Sequence, residues 1–333
     1  MSIQETNLKA IADAIRAKTG ETGTIVANDF ASKIAAISTG VAKPSWVKST
    51  LPASGSWISI CYGDGKFVAV GYNNTNVAYS TDGINWTQAT MPVSTYWRSV
   101  CYGNGKFVAI TYNNTIAAYS TDGITWTQTT LPGERFWTSV CYGDGKFVAV
   151  CASAMLPAYS TDGITWTSAR MPVSATWSPV CYGNGKFVAM AKNSNIAAYS
   201  TDGINWTQTT LPVSASWNSV CYGNGKFVAV TGNSSTSSKV AAYSTDGINW
   251  TQATLPVSRN WNSVCYGNGK FVAVTSNNFS AIAAYSTDGI NWTQTTLPTE
   301  TVWSLVCYGD GTFVAITTGM IAAYLKDSFD EWA

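Results

Sequence analysis

Eight cysteines, six aspartates at one fixed place in a recurring S-T-D-G, and a few arginines and glutamates are the side chains with which this chain could do chemistry. Histidine is absent. That excludes a Ser-His-Asp or Cys-His relay, a histidine metal ligand and a histidine pH switch. Seven cysteines (Cys61, Cys101, Cys141, Cys181, Cys221, Cys265, Cys307) share one slot, V/I-C-Y-G, and Cys151 stands apart. Seven equivalent thiols cannot all pair, and with no C-x-x-C spacing they argue against zinc. They read as small buried hydrophobes in a reduced compartment. The aspartates Asp82, Asp122, Asp162, Asp202, Asp246 and Asp288 read as turn stabilisers, because an Asx turn needs this residue type. Beyond residue 56 the arginines are Arg98, Arg135, Arg170 and Arg259, and the glutamates Glu134, Glu300 and Glu331. Paired carboxylates through Glu134 or Glu300 would suit glycoside hydrolysis, but no motif supports them. The expectation is a protein that is not an enzyme and has no catalytic residues, metal or cofactor.

What positions these residues is a repeat. The first Trp of each copy is Trp57, Trp97, Trp137, Trp177, Trp217, Trp261 and Trp303, at steps of 40, 40, 40, 40, 44 and 42 residues. A period near 40 built of short strands marks a β-propeller. In the copy 97–136, WRSVCY is a first strand and Asn104-Gly105 a type I′ hairpin turn. KFVAIT is a second strand, YNNT a loop, IAAYS a third strand, STDGIT a turn and WTQTT a fourth strand ending at Leu131-Pro132. Asp and Asn alternate in the first turn (Asp64, Asn104, Asp144, Asn184, Asn224, Asn268, Asp310), and both serve it. The last copy stops one residue after Trp332 without a fourth strand, while PSWVKSTLP upstream matches INWTQTTLP. A strand over 45–51 is therefore expected to close the last blade and remove an open edge. The fold class is all-β: a seven-bladed β-propeller of four-stranded blades over 41–333, preceded by a small N-terminal helical hairpin over 1–40.

In that first segment Leu8, Ile11, Ala12 and Ile15 share a helical face, and Thr19-Gly20 ends the helix. Asn28 or Asp29 can cap a second helix presenting Phe30, Ile34 and Ile37. Net charge is +1 with no basic run, which gives no electrostatic case for nucleic acid or an anionic membrane. No run of 18 apolar residues spans a bilayer, and the N-terminus lacks the apolar core of a secretory signal. With 15 Trp, 17 Tyr and 11 Phe the chain is not disordered.

The turn YSTDGINWT resembles the Asp-box of sialidase-like propellers, as Ser-x-Asp-Gly-x-x-Trp, one residue shorter than the commonest spacing. The resemblance implies that the aspartate bonds backbone amides between the third and fourth strands and that the Trp packs between blades. The seventh copy, Leu325-Lys326-Asp327-Ser328, has lost the box. Sialidase chemistry would need an arginine triad, a Tyr–Glu nucleophile pair and an acid; no motif here matches that set, so none is carried over. LKAIADAIRAKTG…DFASKIAAI resembles N-terminal segments of tail-associated proteins in phages and prophages of Gram-positive bacteria. This implies attachment to phage tail proteins through residues 1–40, and a virion protein assembled in the cytoplasm without a signal peptide.

The copies can be compared with each other. CYG[ND]GKFVA and YSTDGI[NT]WT barely change; the stretch between strands two and three and the stretch before each Trp do. In an up-and-down blade both varied stretches open on one rim and both uniform turns on the other. Loops on a rigid scaffold are where binding usually lives. The candidate ligand-binding residues are Tyr72, Asn73, Asn74, Tyr96, Tyr112, Asn113, Asn114, Arg135, Phe136, Asn193, Asn195, Asn233, Lys239, Arg259, Asn260, Asn277, Asn278 and Phe279. Polar residues with aromatic anchors suit adaptable recognition. The function expected is that of a tail adhesin or receptor-binding protein for a bacterial surface glycan or protein. A multivalent lectin with one sugar pocket per blade, and a ligand-free structural or designed propeller, are the alternatives. A homo-oligomer is left open.

Overall fold

The computed structural model describes residues 3–19, 45–152, 155–232, 237–276 and 280–326. The chain divides into two compact units, residues 1–45 with 328–333, and residues 46–327. The first contributes the helix Ile3–Thr19, which stops where Gly20 follows. Ala12 and Ile15 on it are buried, and Ile11 is 41% exposed. The expected second helix, from Asn28 or Asp29 to Ile37, lies outside the described residues. No helix of the described residues is long and apolar enough to cross a membrane.

The second unit is an all-β propeller domain containing several four-stranded antiparallel sheets. The fifth copy shows the pattern: Trp217–Gly223, Lys226–Thr231, Ser238–Ser244 and Thr251–Arg259 follow one another in space as in sequence. The Asn-Gly turn forms because both its residues take positive φ, 45° at Asn224 and 72° at Gly225, as a type I′ turn requires. The fourth and sixth copies have the same order. Copies one to three run together as one eight-strand series. There the extended chain passes unbroken from one copy into the next, as in Thr87–Gly103 and Thr127–Gly143. The YNNT segments, expected as loops, are also extended: Lys66–Ser80 and Lys106–Ser120 each run continuously through them. In the last copy the strand Val47–Thr50 lies beside Ile321–Lys326, with Val47 opposite Tyr324 and Thr50 opposite Ile321.

The core is shared between consecutive copies. Val108 and Ile110 of the second pack with Trp137, Phe147 and Ala149 of the third. Val314 and Ile316 of the seventh pack with Trp57, Phe67 and Leu51. The Trp that opens each copy is fully buried, and its indole finds an acceptor; Trp97, for example, donates to the Val93 carbonyl at 3.2 Å. The glycine that ends each first strand sits under the Tyr of the next copy. A Cβ at Gly103 would lie 1.9 Å from Cγ of Tyr142, and one at Gly309 would lie 2.1 Å from Tyr62, which returns the series to its start. A bare backbone is needed for that approach. Innermost strands leave amides without a sheet partner. In five of the copies the serine two residues after the Trp takes up that need: Ser59 accepts from the Val100 amide at 3.0 Å and Ser99 from Val140 at 3.1 Å, and Ser139, Ser219 and Ser263 do the same. All eight cysteines are free, and burial pushes their thiols up, that of Cys307 to about 12.

Candidate ligand-binding rim and channel mouth

At one end of the strands the S-T-D-G turns are closed networks. Asp122 accepts from the Ile124 and Thr125 amides at 2.8 Å each, and Ser120 donates to it at 2.9 Å while accepting from the Gly123 amide. Partial burial works to raise these carboxyls, but the amide and hydroxyl donors outweigh it. They hold Asp122, Asp162 and Asp288 at about 2, and Asp82, Asp202 and Asp246 lower still. The Asn-Gly turns reach the next copy's S-T-D-G turn: Asn104 donates to the Thr161 carbonyl at 3.3 Å and Asn184 to Thr245 at 3.1 Å. Aspartate cannot donate there, so Asn and Asp are not equivalent at this position. The carboxylates of the S-T-D-G turns are spent on backbone amides and the neighbouring serine.

At the other end the two varied stretches pair with each other. Tyr72 lies opposite Tyr96 and Asn74 opposite Thr95; Tyr112 lies opposite Phe136 and Asn114 opposite Arg135. Ser194 faces Ala215, and Ser238 faces Arg259. The aromatic partners touch, with ring centroids 5.1 Å apart for Tyr72–Tyr96 and 5.0 Å for Tyr112–Phe136, while Tyr96 and Phe136 remain 44% and 41% exposed. Arg135 sits 5.3 Å from the Trp137 ring centroid and donates to the Leu156 carbonyl and the Ser168 hydroxyl.

Several of the asparagines have backbone reasons for being there. Asn73, Asn113 and Asn193 hold φ of 58°, 56° and 52°, a region asparagine tolerates. Asn74 donates to the Gly55 and Tyr72 carbonyls, and Asn260 is buried and donates to the Ser276 hydroxyl. Asn195, Lys239 and Arg259 lie on other copies and do not join the aromatic pairs in one pocket. Asn233, Asn277, Asn278 and Phe279 lie outside the described residues.

Two cavities meet at Arg98. One, of about 440 Å³, is lined by Ser56, Ile58, Tyr72, Arg98, Tyr112 and Thr318. The other, of about 300 Å³, runs along the axis between the first strands of all seven copies and includes Arg98, Lys192, Asn218 and Asn262. Sequence reasoning missed both cations. The signal for Arg98 was the residue directly after each Trp: Ile58, Arg98, Thr138, Ser178, Asn218, Asn262 and Ser304 differ within a nearly fixed W-x-S-V-C-Y-G, while Lys192 opens the varied stretch after the second strand of the fourth copy. Three of these tie copies together: Thr138 donates to the Trp177 carbonyl at 2.5 Å, Asn218 to Trp261 at 3.1 Å and Asn262 to Ser304 at 2.6 Å.

The model for the DUF6242 beta propeller domain matches residues 214–333. No curated protein matches the sequence. Among solved structures, selenomethionine-substituted virginiamycin B lyase from Staphylococcus aureus aligns with a TM-score of 0.75 at 11% identity, over 85% of this chain and 99% of that one. A catalytically inactive histidine-to-alanine variant of the same lyase with quinupristin gives 0.73 at 10%, over 84% and 99%. YCF48 bound to D1 peptide gives 0.67 at 13%, over 86% and 100%. At these identities the likeness is one of fold: this chain shares the β-propeller with an enzyme and with a peptide binder.

Proposed function

We propose that the chain is a recognition propeller of seven blades, a phage or prophage tail adhesin that binds a bacterial surface glycan or protein through its varied rim. The observation that carries the binding reading is the pairing of the two varied stretches, which gathers Tyr72, Tyr96, Tyr112 and Phe136 beside a cavity of about 440 Å³. Aromatic faces with polar neighbours are what a sugar or peptide ligand needs. What supports the blade count is that the eight-strand series divides into three sequence copies and that Val47–Thr50 pairs with the last. On this reading residues 41–333 form the propeller and residues 1–40 the tail-attachment segment. The S-T-D-G networks are Asp-boxes with a structural role. The tail assignment rests on the N-terminal resemblance.

The chain is read as a binder with no catalytic activity. The variant lyase that aligns with it is inactive once a histidine becomes alanine, and this chain has no histidine. YCF48, with the same fold, was captured with a peptide. The test exchanges the 71–76 and 111–116 segments for that of the fourth copy, 191–196, and measures attachment to a panel of Gram-positive cells. Attachment should be lost with the fold intact. Attachment at the original level would remove the rim from the account.

A further inference from the structure

Arg98 and Lys192 are the two cations of the axial channel, and no carboxylate lines it. Both are partly buried, and among the described residues neither side chain has a hydrogen-bonding or ion-pair partner. This sets Arg98 apart from Thr138, Asn218 and Asn262, which occupy its place in other copies and bond the neighbouring backbone. Burial disfavours the charge on each, and Arg98 further disfavours that on Lys192, so the two share one field. Two unpaired like charges in a partly buried polar site weaken a fold unless something negative joins them. Tyr72 and Tyr112 line the adjoining cavity together with Arg98.

We propose that the channel mouth is an oxyanion site, in which Arg98 and Lys192 clamp a carboxylate or phosphate group of a saccharide whose ring lies against Tyr72 and Tyr112. Arg98 offers a planar fork that grips two oxygens at once, and Lys192 adds a point charge from the fourth copy. Asn218 and Asn262 are committed to backbone carbonyls, so selectivity for an anion comes from the two cations. The proposal rests on the varied rim being the ligand face and gives the chemistry of its ligand.

The test is calorimetry on the full chain with D-glucuronate, D-glucose 6-phosphate and D-glucose. One of the two anions should bind at one site per chain, at least about tenfold tighter than glucose; which one identifies carboxylate or phosphate. R98Q should abolish that preference and leave the melting temperature unchanged. K192M should weaken the anion by about three- to tenfold, and K48M, exposed on the strand Val47–Thr50, should change nothing. The proposal falls if neither anion outbinds glucose, or if the preference survives R98Q. Should R98Q fail to fold, K192M decides: an unchanged anion preference overturns the site. The two readings separate cleanly. Cells held through the rim, with no anion preference, would remove this site alone. An Arg98-dependent anion preference, with attachment indifferent to the rim, would remove the adhesin alone.

Discussion

The two rims of this propeller solve opposite problems with similar residues. On one, the S-T-D-G aspartates and the first-turn asparagines are consumed: Asp122 takes three donors and Asn104 reaches across to the next copy. On the other, Tyr96 and Phe136 remain exposed, and Arg98 at the channel mouth has no partner among the described residues. A group whose hydrogen bonds are all made holds the fold; one with bonding capacity left over is available to a ligand. The difference lies in satisfaction, since both rims draw on Asn, Ser, Thr and Tyr.

The largest effect should come from a part that belongs to neither rim. Deleting residues 45–51 bares the Ile321–Lys326 edge and removes Trp46 and Leu51, both buried. Losses of about 3–5 kcal/mol for the Trp and about 2–5 for the Leu predict a melting temperature lower by roughly 10 °C or more. An unchanged melt would show that this strand does not close the structure.

Next comes the uniform rim. Asp122→Ala removes the acceptor of the exposed Ile124 and Thr125 amides and should cost about 1–2 kcal/mol by denaturant unfolding. The same networks set the acid response. Each turn carboxyl has a folded pKa below its unfolded value of about 4, so its contribution is complete above that value and lost as pH falls towards about 2. Melting temperature should therefore be flat above about pH 5 and drop between about pH 4 and 2. A melt that held constant to pH 2 would contradict the networks described. The smallest effect tests the cross-copy bond: Asp144→Asn should donate to the Thr201 carbonyl as Asn104 does to Thr161 and add about 0.5 kcal/mol.

Much of the strand order was legible because it is local. Asn104-Gly105 announces its turn through the φ values that only such residues take freely, and the Trp spacing announces the repeat. The site was less legible, for two physical reasons. Asn73, Asn113 and Asn193 look like ligand groups in sequence but answer to a left-handed backbone. Arg98 and Lys192 are 94 residues apart, and only the closing of the sheets around an axis brings their positions to one channel. No short-range pattern encodes that convergence, although the variable residue after each Trp marked its wall. Asn and Asp both make the first turn, as their alternation implied, and only Asn also donates to the next copy, a difference that needs the neighbouring copy in place.

The contrast between the rims is tested most directly by a crossed pair of variants, Asp122→Ala against the double change Tyr96→Ser with Phe136→Ser, each measured for melting temperature and for attachment to Gram-positive cells well below the melt. The account predicts that Asp122→Ala melts lower and still attaches, while the double variant melts within about 2 °C of the parent and no longer attaches. Attachment retained by the double variant, or lost by Asp122→Ala while it remains folded, would contradict the division of labour between the two faces.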